Sequence, residues 1–142
     1  MNRKEHLNPA GLPQMGESFS QVVVVHGRDA RTVYVSGQVS LDERGELVGK
    51  GDLAVQARQA FENLAQALAA AGAAPDDVVR IGVFIKGYDR SQAPAIRGAM
   101  RQVFPGPGLP ASTWLGVQTL AMDDLLIEVE ATAVMDPETP RS

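Results

Sequence analysis

Glu128 and Glu130 are the residues whose type and spacing most directly invite chemistry. They stand two apart in Ile127-Glu128-Val129-Glu130-Ala131, so in a strand both carboxylates fall on one face. A carboxylate in that position orients a water molecule and takes its proton as the water attacks an electrophilic carbon. The plain alternative is a solvated strand face, paired with arginine or lysine on a neighbouring strand. Upstream, Ser112 and Thr113 offer hydroxyls to a polar ligand. Trp114, the only tryptophan, shares a strand face with Ser112 and offers a flat wall to a conjugated ligand. Strand-edge polarity and interface packing would employ the same three residues. Arg97 and Arg101 are four apart, which puts both guanidiniums on one helix face, as ligand clamps or as solvated charges.

Other chemistries are excluded by what the chain lacks. It has no cysteine, hence no disulfide framework, thiolate metal site or cysteine nucleophile. His6 and His26 have no ligand spacing and no triad partners. The glycine-rich stretches 45–51 and 106–108 do not fit a phosphate loop. Thirteen Lys and Arg are scattered among seventeen Asp and Glu, for a net charge of −4, which argues against nucleic acid as a partner. The first residues, MNRKEHLNPAGLPQ, carry no apolar run of a secretory signal, and no stretch reaches the roughly 20 apolar residues of a membrane span. The expectation is a cytoplasmic protein with no membrane partner.

The elements that must position these residues follow from periodicity. At 142 residues, with 44% hydrophobic and 21% charged, the chain is one domain with an aliphatic core. Residues 1–18, rich in Pro and Gly, read as an N-terminal arm, 19–135 as the domain, and 136–142 as a flexible tail. Ser20–His26 and Thr32–Ser36 are β-branched runs around a Gly-Arg-Asp turn, which predicts a hairpin. Asp52 is an N-cap, and Ala57, Phe61, Leu64, Leu68 and Ala71 form one apolar stripe, so Leu53–Ala71 is a helix closed by Gly72. Alternation predicts a strand over Val78–Lys86, with Val79, Ile81, Val83 and Ile85 on one face. A second helix over 92–103 precedes strands at Thr113–Leu120 and Leu125–Met135, joined by a turn at Ala121–Asp124. Leu125, Ile127, Val129, Ala131 and Ala133 share one face of the last strand. Leu126, Glu128, Glu130, Thr132 and Val134 share the other. The order β-β-(β)-α-β-α-β-β, with hairpins at both ends, makes an α+β sheet with its helices on one face. The half-apolar second face then calls for oligomerisation.

Several stretches, taken in order, carry a resemblance. They are Val35-Ser36-Gly37-Gln38, Gln56-Ala57-Arg58-Gln59-Ala60-Phe61-Glu62-Asn63-Leu64, Ala71-Gly72 with Asp76-Asp77-Val78-Val79, and Val83-Phe84-Ile85-Lys86. Phe104-Pro105-Gly106-Pro107, Pro110-Ala111 and Ile127-Glu128-Val129-Glu130-Ala131 complete the set. In this order and spacing, over residues 19–135, the chain resembles the Rid (YjgF) family. The resemblance implies a chorismate-mutase-like α+β fold: a mixed sheet with two helices on one face, assembled as a homotrimer with three ligand clefts between subunits. For the best-known branch it implies cofactor-free hydrolysis of enamines and imines to 2-keto acids and ammonia. The partners implied are a small-molecule ligand in the clefts and further copies of the chain.

Residue by residue, Glu128 matches the family's glutamate that holds the attacking water. Gly37, beside Ser36, matches a cleft position where backbone approaches the ligand without a Cβ in the way. Phe19 stands where that branch has a tyrosine, and Trp114 where it has a small residue. Ser112 stands where it has the arginine that clamps the substrate carboxylate. A hydroxyl cannot neutralise a carboxylate, and the lost pair costs on the order of several kcal/mol of binding. Arg97, on the helix that borders the cleft in the family, is the candidate to clamp from another direction. Three readings are carried forward, in order: an enamine/imine deaminase or related hydrolase whose substrate differs from that of the arginine-containing branch; a non-catalytic trimer that binds a small molecule; and a ribonuclease.

Overall fold

The computed structural model describes residues 3–138. Eight principal elements follow one another: β1 (Arg3–Leu7), β2 (Val22–His26), β3 (Arg31–Val39), α1 (Leu53–Ala70), β4 (Val78–Lys86), α2 (Ala93–Val103), β5 (Ala111–Val117) and β6 (Ile127–Met135). The strands form one mixed sheet in the order β1-β2-β3-β6-β4-β5. Among the described strands only β4 and β5 pair in parallel, and α2 makes the crossover between them.

The long helix forms as its caps and stripe require. The Asp52 carboxylate accepts from the Val55 amide at 3.1 Å. At the other end Ala71 is the C-cap and Gly72 takes φ +78°. The Ala73 amide donates to the Leu68 carbonyl and the Gly72 amide to the Ala69 carbonyl, each at 2.9 Å, which is a Schellman closure. Ala57, Phe61, Leu64 and Leu68 are fully buried, together with Val33, Ile81, Val83, Ile127 and Val129 of the sheet. Complete burial of each such large side chain stabilises the fold by about 1.5–3 kcal/mol.

Four expectations change. First, the N-terminal arm is not all loop: Arg3–Leu7 pairs antiparallel with β2. An edge strand needs backbone pairing on one side only, so a charged sequence serves it and leaves no apolar alternation to read. Second, the last two strands do not form a hairpin. β6 inserts between β3 and β4, antiparallel to both, while β5 lies on the far edge. The central place gives β6 partners on both sides. Third, Val79 does not face the core: a register shift between Val78 and Arg80 turns Val78 inward and leaves Val79 48% exposed. Fourth, β3 runs on to Val39, past the Ser36 boundary, through a bulge described below.

Both helices pack on one face of the sheet. The other face is uncovered in the single chain. By register it carries Tyr34, Phe84, Leu115, Thr132 and Val134. Tyr34 and Leu115 are each 50% exposed, so this face keeps a substantial apolar component. No helix among the described residues is long and apolar enough to cross a membrane.

Candidate functional site

The site grows out of the bulge in β3. Val35 pairs with Ala131 and Gln38 with Val129, so Ser36 and Gly37 together oppose Glu130 alone. Val39 then pairs with Glu128, which places the Glu128 side chain on the uncovered face. Gly37 is the position the carboxylate needs. A Cβ there would lie 2.6 Å from Glu128 Cδ and 2.8 Å from Cγ, and closer still to Oε2. The missing Cβ thus makes room for the Glu128 side chain.

The bulge also turns Gln38 under the sheet, where it is buried and builds a polar network. Gln38 Nε2 donates to Gln21 Oε1 at 2.7 Å, and Gln21 Nε2 donates to the Pro13 carbonyl at 2.9 Å. The Gln21 amide donates to Asn8 Oδ1 at 3.0 Å. The Ser36 hydroxyl donates to the Ser20 carbonyl at 2.5 Å. These bonds hold the loop between β1 and β2, which carries Met15, Ser18 and Phe19, against the end of β3. A second network pins the opposite wall. Buried Gln56 of α1 donates to the Gly49 and Asp124 carbonyls at 3.1 and 2.9 Å, and accepts from the Leu126 amide at 2.9 Å. Asn63, two turns along, donates to the Val39 and Leu41 carbonyls, both at 2.9 Å. Unpairing such buried amides would cost about 1–3 kcal/mol each, so these loops are firmly set.

Between the two loops lies a cavity of about 540 Å³. Phe19, Ser36, Gly37 and Glu128 all line it. The other walls are mainly apolar, with Met15, Leu41, Met122 and Leu125 among them. Among the described residues, Glu128 is the one ionisable group that lines it. Burial, and next the Glu130 carboxylate, push the Glu128 pKa above the usual glutamate value. Half-buried, unclamped and poised above an open cavity, this carboxyl has the setting of a general base.

Three expected site residues lie elsewhere in the single chain. Ser112 pairs with Ile81 and Trp114 with Val83, which puts both on the helix-covered side of the sheet, opposite Glu128. Trp114 is half-buried there, with its ring edge-to-face with Tyr88 at a centroid distance of 6.4 Å. Arg97 is exposed on α2 and does not line the cavity. Its neighbour Arg101 donates to the Gly106 and Pro105 carbonyls at 2.9 and 2.8 Å and so ties down the loop after α2. The Thr113 hydroxyl accepts from Arg80 at 2.8 Å. The loop residues Met15, Met122 and Leu125 were not foreseen as site residues. Gln56 and Asn63 gave a usable signal, since both are amides on the buried side of an apolar helix, where a polar group needs a partner.

Relatives match over most of the chain. Residues 12–135 match the family model described as Endoribonuclease L-PSP. A Dermatophagoides farinae protein named 2-iminobutanoate/2-iminopropanoate deaminase is 32% identical over 136 residues, which is 96% of this chain and 100% of that protein. A solved structure of a putative endoribonuclease from Thermotoga maritima superposes with a TM-score of 0.80 at 29% identity, covering 93% of this chain and 98% of that one. A Yersinia pestis protein of the Rid family, described as of unknown function, superposes with a TM-score of 0.70 at 37% identity, covering 92% and 97%. The family model spans most of the chain, and the chain belongs to the Rid (YjgF) family, the family of the endoribonuclease L-PSP model.

Proposed function

We propose that this protein hydrolyses the C=N bond of a reactive imine, the tautomer of an enamine, releasing ammonia. One observation carries the reading: the half-buried Glu128 carboxyl, its proton affinity raised, laid over Gly37 at the wall of a 540 Å³ cavity. The carboxylate orients a water toward the imine carbon and accepts its proton as the new C–O bond forms. Returned to nitrogen, that proton makes the amine a leaving group. The name of the mite relative supports the reaction class. The test is ammonia release from a panel of imines generated in situ, each rate corrected for buffer hydrolysis. At least one imine should be hydrolysed faster in proportion to protein added. No acceleration across the panel would favour the second reading, a binding trimer, which the lack of a cation among the described residues at the cavity wall supports.

The working form is a homotrimer with the cavities at its subunit interfaces. The uncovered apolar sheet face supports this, because Tyr34 and Leu115 gain a partner only from another copy. In that assembly the binding roles expected of Ser112, Trp114 and Arg97, none of which lines the cavity of its own chain, would be met across the boundary between two copies. Light scattering at micromolar concentration should give three times the 15.1 kDa chain mass. A monomer would remove both the assembly and every role given to Ser112, Trp114 and Arg97.

A further inference from the structure

We infer that the cavity takes an imine with a sizeable apolar skeleton and no carboxylate, the imine of a simple amine and not of an amino acid. The inference rests on the deaminase reading above and names its substrate class.

Charge is the first argument. Among the described residues of one chain the cavity wall holds one ionisable group, and that group is an acid. An imino acid would bring a second carboxylate beside Glu128, already faced by Glu130. Like charges at such range disfavour binding and further raise the proton affinity of the base. Among the described residues of one chain no wall group offsets this, and Arg97, exposed on α2 and outside the lining, is a cation only a neighbouring copy would bring. Ser36 has committed its proton to the Ser20 carbonyl, and the remaining wall hydroxyl, Ser18, is neutral. On β5, Ser112 is also neutral. Two arginines near that strand are already engaged, Arg80 with Thr113 and Arg101 with loop carbonyls. An iminium cation meets the opposite situation. It is drawn to Glu128, and the ring of Phe19 at the rim favours a cation over its face.

Size and lining point the same way. A volume of about 540 Å³ lies within the range of about 300–1,000 Å³ that holds drug-sized ligands. A short-chain imino acid would leave most of it to water. Met15 and Met122 bring flexible thioethers that adapt to varied apolar shapes. Leu41 and Leu125 close the floor.

The step balances without a further reactant. The iminium carbon gains a C–O bond from water while Glu128 accepts one water proton, giving a neutral carbinolamine. Glu128 returns that proton to nitrogen. The C–N bond breaks as the hydroxyl becomes a carbonyl, and its proton leaves with the nitrogen. In sum, one iminium cation and one water give one carbonyl compound and one ammonium ion.

The test uses a pair that differs only in the carboxylate. 2-Phenylethylamine with an amine oxidase yields one imine in situ, and phenylalanine with an amino-acid oxidase yields the other, with catalase present in both. Ammonia release should be accelerated at least tenfold more for the first, and Glu128→Gln should remove that acceleration. The parent compounds probe binding apart from turnover: 2-phenylethylammonium should bind at least tenfold more tightly than phenylalanine by calorimetry. A preference for the carboxylate-bearing partner in either assay overturns the inference while leaving the deaminase reading standing. Preferential binding of the simple amine with neither imine accelerated upholds the cavity's chemistry and overturns the deaminase reading. If neither parent compound binds and neither imine is accelerated, both fall.

Discussion

Glu128→Gln is expected to lower kcat/KM for the preferred imine by about 10²–10⁴-fold, the usual range for loss of a general base. The amide has the shape of the carboxylate, so it holds a water in place but cannot take its proton. The variant should fold normally. Glu128 gains protons more readily in the folded chain than a free glutamate does. The folded state therefore binds more protons than the unfolded one across the window between the two pKa values. Stability contributed by the carboxyl is present below that window and is lost as pH rises through it. The uncharged amide escapes that loss, and at neutral pH the variant should melt at or above the wild-type temperature. The same shift sets the acid limb of the wild-type pH profile. Activity needs the carboxylate, so it falls as pH drops through a midpoint above the usual glutamate value. Retained turnover in the variant would remove Glu128 from the mechanism. A midpoint at or below the ordinary value would show that burial and Glu130 do not govern the working enzyme.

How much of this was legible depended on whether a residue's role is local or set by register. Leu53–Ala70 was readable because cap, stripe and terminating glycine all lie within one segment. β1 was hidden because an edge strand of charged residues shows no alternation. The central place of β6 was hidden as well, since the strand beside it in sequence is β5, and neighbours in sequence usually pair. That misplacement had a consequence at the site. The spacing of Ser112 and Trp114 correctly put them on one face, but only the pairing with Ile81 and Val83 shows that this face is not that of Glu128. Glu128 itself was legible as a carboxylate on the face opposite Ile127 and Val129. Its company was not, because Met15, Phe19 and Met122 sit on loops whose course is set by buried amides reaching across the sequence. Val79 shows the limit of alternation, since one extra residue in a strand inverts the inward face.

Gly37→Ala should lower kcat by about 10²-fold or more while leaving the protein folded, because a displacement of about 1 Å in a reacting group costs that much. Gly37 does not have the positive φ that demands glycine, so alanine suits its backbone. The conflict is with one side chain. An alanine Cβ at 2.6–2.8 Å from Cδ and Cγ of Glu128 is closer than carbon atoms tolerate, and the Glu128 side chain must rotate away. The rotation is available because the carboxyl stands at an open cavity, so the stability cost stays near about 1–2 kcal/mol, partly offset by the lower chain entropy of alanine in the unfolded state. The cavity walls are unchanged, and binding of an apolar amine should weaken less than turnover does. Swung toward water, the carboxylate also loses part of its burial, so the acid limb of the pH profile should move down toward the ordinary glutamate value. This combination separates positioning from general damage. A misfolded variant loses binding, melting transition and turnover together, whereas a displaced base loses turnover and shifts its titration. Wild-type kcat with an unmoved acid limb would show that Glu128 does not work from the place it occupies over Gly37.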